Sequence, residues 1–288
     1  MAGTAFTVLG LCLTLLCLLN FIFVFGTGVE FIRFISLQAI FYNISGAVQQ
    51  PKGDDANREW NIILRDPRVL RPLAVDLGLI IVFILQHSLM ATSTIKRWIT
   101  GIFGVLQRSL YVFSTSVVLQ VIMRYWQPVR DAPLIWSAST VPWNTWIPLI
   151  CFVLHFFAWL IIFTIILIFD YAELMGVKQI YYYCLGLEDP LSMKSLRAQR
   201  LYSHLRHPVY LEFLLILWAV PCLSLDRVLL ATLFTLYLTC GHSLDEQDYR
   251  YLRVQLDRKL EIFSREEITY GQLLAANGSR SENADKEQ

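Results

Sequence analysis

Charge is scarce in this chain. Only 16% of its 288 residues are charged, against roughly 25% in a soluble domain. That deficit excludes an ordinary water-soluble fold. No sign dominates what charge there is, since 24 Lys and Arg stand against 23 Asp and Glu, a net charge of +1. A broad basic face is therefore missing, and nucleic acid is not an expected partner. The six cysteines form no CxxC pair, and five of them lie in or beside apolar runs. A disulfide framework or a zinc site is thereby excluded, and no metal is expected. The cysteines read as small apolar packing residues. The first apolar run has no basic residues before it and is too long for a signal-peptide core, so it reads as an uncleaved span. No internal repeat and no soluble globular domain are visible.

What the chain has instead is length of hydrocarbon. It is 56% hydrophobic, with a mean hydropathy of +0.50. The apolar residues are gathered into runs, the mark of a polytopic membrane protein. The runs predict an all-α integral membrane protein with about six transmembrane helices, at 5–25, 73–90, 105–123, 146–169, 211–224 and 228–244. The last two are split by Pro221 and by Ser224-Leu225-Asp226-Arg227, and read as a short helical hairpin. A polar helix follows from 245 to 263, with Leu252, Leu256 and Leu260 in an apolar stripe. The membrane domain thus runs over 1–263, and 264–288 reads as a flexible tail. With both termini on one side, that side holds 15 of the 24 Lys and Arg, which points it at the cytoplasm or nucleoplasm. Asn43-Ile44-Ser45 is then a glycosylation sequon on the lumenal side.

Three polar groups interrupt this pattern. The first is Tyr202-Ser203-His204-Leu205-Arg206-His207-Pro208-Val209-Tyr210, directly before an apolar run. Pro208 suits the first turn of the helix that follows, and a helix start attracts anions. The stretch reads either as a site for a carboxylate, phosphate or charged cofactor, or as a basic anchor on lipid headgroups. The second is Asp245-Glu246 after the last apolar run. The hairpin would return these acids toward Arg206, while Glu246 and Arg250 also stand at i, i+4 as an ordinary helix ion pair. The third is Gln86-His87-Ser88 with Arg108. Ionisable groups at membrane depth are functional candidates, although an arginine near a span end also snorkels. His155 reads as a satisfied buried histidine, and Asp76 as a helix–helix hydrogen-bond partner.

Several segments carry a resemblance. They are Phe25-Gly26-Thr27-Gly28-Val29-Glu30-Phe31, Gln86-His87-Ser88-Leu89-Met90-Ala91, 103–112, Met123-Arg124-Tyr125-Trp126, 169–176 and 203–208. Through them the chain resembles the nurim family of multi-pass inner-nuclear-membrane proteins over almost its whole length. That family is in turn similar to a wider group of membrane methyltransferases, which includes isoprenylcysteine carboxyl methyltransferases and methanethiol S-methyltransferases. Those enzymes bind S-adenosylmethionine beside an Arg-His-Pro-x-Tyr-x-Gly motif and a later Glu-Glu pair. The resemblance implies cofactor contacts at Arg206, His207, Tyr210, Asp245 and Glu246, and substrate contacts at His87 and Arg108. The chain departs from the motif with Glu212 at its glycine and Asp245 at its first acid. No catalytic residue is assigned.

Two readings follow. In the first, the chain is a structural or binding protein of the nuclear inner membrane on a methyltransferase-like scaffold, with the lipid bilayer and the nuclear lamina or other envelope proteins as partners. In the second it is an active S-adenosylmethionine-dependent methyltransferase acting on a thiol or carboxylate. A transporter is disfavoured, because paired broken helices in repeated halves are missing.

Overall fold

A computed structural model describes residues 2–41, 60–168, 170–194, 196, 199, 209–241, 250, 253–254, 257, 260–261 and 264–270. It is mostly helical. Helix α1 spans Ala2–Ile32 and runs through a π-helical turn, Arg33–Leu37, into α2, Gln38–Ile40. After α3, Trp60–Ile63, come α4, Pro67–Ala91, and α5, Ser93–Phe103. A 3-10 turn, Gly104–Leu106, leads into α6, Gln107–Tyr125. Then follow strand β1, Trp136–Ser137, and helix α7, Trp143–Ile168. The short helices α8, Tyr171–Leu174, and α9, Val177–Cys184, come next. Helix α10, Tyr210–Trp218, strand β2, Cys222–Leu223, and helix α11, Leu225–Gly241, follow.

Four helical stretches are long and apolar enough to cross a membrane: Val8–Ile40, Pro67–Ala91, Ser93–Tyr125 and Trp143–Leu167. The chain is a multi-pass membrane protein. In hydrocarbon every backbone N–H and C=O must be satisfied within its own segment, so these runs have to be helices. Their outer faces carry exposed Leu15, Ile22, Val82, Leu85, Phe156 and Leu160, as lipid contact requires. The third stretch is not one rod. Gly104 has φ +53 and breaks it, leaving α6 as the crossing segment and α5 as a separate short helix.

The boundaries differ from the hydropathy reading for local reasons. The second helix begins at Pro67 rather than 73, because Asp66 caps it by accepting from the Arg68 N–H at 2.9 Å and Pro67 fits the first helical position. Helix α5 lies where the sequence shows only a connection between spans. The chain that begins at 211 by hydropathy stops being helical at Trp218, and helix resumes at Leu225. The residues between form β2, which pairs antiparallel with β1, Trp136 opposite Leu223. The break between α10 and α11 therefore meets the connection between α6 and α7.

Within this part of the chain α1 packs on α6, α6 on α4, α4 on α11, α11 on α10 and α10 on α7. One core draws on all of them, with Phe34, Ile80, Phe83, Ile122, Ile162, Ile216 and Leu230 buried together. Lipid is as apolar as leucine, so burial alone does not hold helices together there; shape and interhelical hydrogen bonds do. Those bonds are present: Gln120 Nε2 donates to Thr27 Oγ1 at 3.2 Å and Trp159 Nε1 to Ser36 Oγ at 2.9 Å. His155, expected as a satisfied buried histidine, is satisfied on one side only: Nε2 lies 2.9 Å from the Ala219 carbonyl, while Nδ1 is buried without a hydrogen-bond partner.

The end of the bundle that holds the β1–β2 pair is clasped by two buried carboxylates. Asp76 on α4 accepts from the backbone N–H of Gln127 at 2.8 Å, just past the end of α6. Asp226 on α11 accepts from Trp126 Nε1 at 3.0 Å and from the Val129 N–H at 3.3 Å. Its neighbour Arg227 donates to the Phe34 carbonyl at 3.1 Å and covers the Phe34 ring at 4.7 Å.

By its contacts the chain divides into two units, 1–199 with 207–242, and 200–206 with 243–288. In the second, residues 264–270 are helical, so helix extends beyond the expected boundary at 263. Arg265 pairs with Glu261 one turn earlier at 2.6 Å.

Candidate functional site

Of the seven residues that the sequence singles out for binding, the structure describes three: His87, Arg108 and Tyr210. Arg206, His207, Asp245 and Glu246 lie outside the described residues, while Tyr210 stands at the start of α10. The Tyr210 hydroxyl is 3.1 Å from Thr239 Oγ1 on α11, so it links the two helices. Glu212 sits half-buried in the first turn of α10.

His87 and Arg108 are brought to one place, and Tyr111 is what joins them. His87 lies one turn before the end of α4, stacked on Phe83 with ring centres 5.5 Å apart. The Tyr111 hydroxyl on α6 lies 3.1 and 3.2 Å from the two ring nitrogens of His87. Arg108 stands one turn before Tyr111 and covers its ring at 5.6 Å. Helix α11 closes the group from a third side, with Tyr237 OH 3.1 Å from Ser88 Oγ. Above it Gln86 Nε2 donates to Ser114 Oγ at 3.1 Å, and its Oε1 is buried without a hydrogen-bond partner.

Arg108 is held from below by the loop after α7. Its Nε donates to the Leu174 carbonyl at 2.9 Å. Its two terminal nitrogens form no hydrogen bond or ion pair among the described residues. The loop can reach α6 only because of Gly176. This residue has φ +83, and a Cβ there would stand 2.5 Å from Ser109 Oγ and 2.8 Å from the Ser109 nitrogen. Asn20 on α1 donates to the Ser109 carbonyl at 3.2 Å, drawing a third element to the same turn.

The loop itself is fixed by charge. Asp170, in a left-handed conformation at φ 63, caps α8 and pairs with Lys178 at 2.6 Å. Glu173, nearly buried, pairs with Lys194 at 2.5 Å. The Lys178 ammonium holds the Asp170 carboxyl below the ordinary carboxylate range, and Asp170 raises Lys178 in return. Burial pushes the Asp189 carboxyl up, with Glu173 adding to the effect. These pairs surround Leu174, the residue whose carbonyl orients Arg108.

The arrangement presents a guanidinium at the edge of the membrane domain, flanked by a phenol and an imidazole. A planar guanidinium suits a carboxylate or phosphate. Sequence reasoning singles out His87 and Arg108 as candidates and passes over Tyr111, whose signal is its position one turn after Arg108 on the same helix face. It also missed Tyr237 and the Leu174 carbonyl, for which no local signal exists. Among the described residues no group of His, Cys, Asp and Glu could hold a metal ion.

Comparison with known proteins places these residues among relatives. No protein-family model matches the chain, and no solved structure matches it. Curated proteins do. The chain is 57% identical over 248 residues to "Nurim" of Sus scrofa, covering 86% of this chain and 93% of that protein. It is 56% identical to "Nurim" of Homo sapiens over the same shares. It is 53% identical to "Nurim" of Xenopus laevis over 257 residues, 89% of each chain.

Proposed function

The chain belongs to the nurim family, and from that premise we propose that it is a six-span protein of the inner nuclear membrane with a binding or structural role. On this reading α11 makes the sixth crossing, and α10, only nine residues long, makes the fifth together with the buried extended segment 220–224 that follows it. The pairing of β1 with β2 supports it, because it puts the break between α10 and α11 level with the connection that follows α6. An even number of crossings keeps both termini on the nucleoplasmic side, where lamina or other envelope proteins are the partners within reach. The scaffold is methyltransferase-like.

The observation that carries a binding role is Arg108. Its Nε is fixed by Leu174 and its face by Tyr111, yet its terminal nitrogens are uncommitted among the described residues. That geometry orients an anionic group beside His87. A methyl donor is less well served. Of the five residues proposed for S-adenosylmethionine, the described one, Tyr210, commits its hydroxyl to Thr239. Glu212 adds a charged side chain in the same first turn, where the motif's glycine would leave the backbone open to a ligand. The other four proposed cofactor residues lie outside the described residues, and no methyl-transfer step is assigned.

Two measurements test the proposal. Tagged protein at native level should stay at the nuclear rim with slow recovery after photobleaching. Free exchange throughout the endoplasmic reticulum would overturn the location. Calorimetry of the purified full chain with S-adenosylmethionine should show no heat of binding. Saturable binding that Tyr210→Phe weakens would overturn the binding-protein reading in favour of an active methyltransferase.

A further inference from the structure

Residues 126–142 join α6 to α7, and β1 is their one regular element. Connections longer than roughly 15 residues are uncommon and usually functional or disordered. This one is ordered, because its inner side is tied down. Asp226 holds Trp126 and Val129, Asp76 holds Gln127, and β2 holds β1. Its outer side is apolar. Ile135 and Trp136 are exposed, and Val141 is 82% exposed.

That apolar surface runs on without a break into α7. Trp143, Trp146, Ile150, Val153, Phe157 and Leu160 follow at three or four residues, one face of a helix, and all are exposed. The start of α4 stands beside the connection, since Ile63 and Val69 are buried with Val129 and Ala132 in a small core. Around that core Ile62, Leu64 and Leu70 are also exposed.

Arginine is interleaved with these side chains. Segments 60–73 and 124–146 together hold five arginines, two aspartates and no lysine. Asp66 pairs with Arg68 at 3.1 Å. Arg65, Arg71, Arg124 and Arg130 are exposed, and their side chains form no hydrogen bond or ion pair among the described residues. The second aspartate, Asp131, is exposed and follows Arg130 in the chain.

We propose that this end of the membrane domain is a phospholipid-binding rim, with Trp136, Val141 and Trp143 in the acyl boundary of the bilayer and Arg65, Arg71, Arg124 and Arg130 on headgroup phosphates. A guanidinium offers a phosphate two parallel N–H donors, and tryptophan collects at the headgroup level. The bilayer is the occupant that the surface selects, because its apolar stripe is continuous with the lipid-facing side of α7. An acidic peptide would complement the arginines and leave Trp136 and Val141 in water. The inference does not depend on which compartment this end faces or on what Arg108 binds.

The test uses the purified full chain. In detergent, native mass spectrometry counts bound phosphatidylglycerol, phosphatidylcholine and diacylglycerol, the last having the same chains without the phosphate. The wild type should retain both phospholipids in preference to diacylglycerol. Retention of phosphatidylglycerol should fall roughly five-fold for each arginine replaced in a series that ends at Arg65→Gln/Arg71→Gln/Arg124→Gln/Arg130→Gln. Equal retention of diacylglycerol, or phospholipid retention that the quadruple variant keeps, overturns the proposal. So does binding of polyglutamate that the quadruple variant loses while its phospholipid retention is unchanged, which would assign the surface to an acidic partner. Depth is read in phosphatidylcholine vesicles from the emission that Trp136→Phe removes. Nitroxide lipids labelled near the headgroup should quench it more than lipids labelled at the chain end, and aqueous iodide should quench it least. Strongest quenching by iodide or from the chain end, or none from any of the three, overturns the interfacial placement.

Discussion

Gly176 shows how much of the site rests on a single missing side chain. Its positive φ is one demand and its approach to Ser109 is another. Alanine meets neither, since the left-handed conformation is strained for it and the Ser109 backbone cannot yield as a flexible side chain would. Gly176→Ala should lower stability by about 1–3 kcal/mol, read as a drop in thermal midpoint of the detergent-solubilised protein. The same change should loosen Leu174 from Arg108 and leave that loop easier to cleave with protease. A variant with unchanged midpoint and unchanged cleavage would contradict this account. Tyr111 illustrates the other side of the matter. It carries both the ring under Arg108 and the hydroxyl at His87, yet in sequence it is one tyrosine among 13. Only the helical spacing from Arg108 marks it.

At the scale of elements, the 170–194 segment behaves as a charged buttress under an apolar bundle. Its pH response follows from two opposite shifts. Asp170 is depressed below its unfolded value of roughly 3.9, so its contribution is present above that value and lost as pH falls through the folded one. Lys178 is raised above roughly 10.4, so its contribution is complete below that value and lost as pH rises through the folded one. The pair should therefore protect the segment from protease between about pH 4 and pH 10 and fail on either side. Lys178→Met should flatten the profile, and high salt should weaken the protection in the wild type, because both side chains are partly exposed. A profile indifferent to the substitution would show that packing, not charge, holds the segment.

The elements also show what the chain declares about itself. Runs of hydrocarbon announced the four long crossing stretches, because a membrane allows one backbone solution to such a run. Their ends were less legible. Helix does not stop where hydrocarbon does, so Asp66 and Pro67 start α4 among charged residues that hydropathy discounts. Helix α5 was written in Ile95, Trp98, Ile99 and Ile102, spaced as one helical face, but Lys96 and Arg97 between them mask it from a search for apolar runs. Asp76 was legible as a polar tie and not in its partner, which is a backbone N–H beyond a helix end rather than a neighbouring helix.

Across the whole molecule, the pairings that close the fold join residues far apart in sequence, and no local pattern reveals them. Asp226 reaches Trp126 across 100 positions. Removing its carboxylate leaves two buried donors without an acceptor, and each orphan costs about 1–3 kcal/mol. Asp226→Ala should therefore lower the thermal midpoint well beyond Asp226→Asn, which keeps one acceptor oxygen. Equal effects would show that charge rather than hydrogen bonding is what Trp126 and Val129 require. The same clasp sets a timetable for biosynthesis. Chains emerge at roughly 5–20 residues each second, so the end of α6 waits on the order of 5–20 s for its acceptor to be made. During that interval Trp126 and Val129 lack the acceptor that the folded protein gives them. A ribosome stalled in the interval, or a message truncated before codon 226, yields a nascent protein that carries its long spans and lacks the latch, a form that a membrane quality-control system can tell from the finished one.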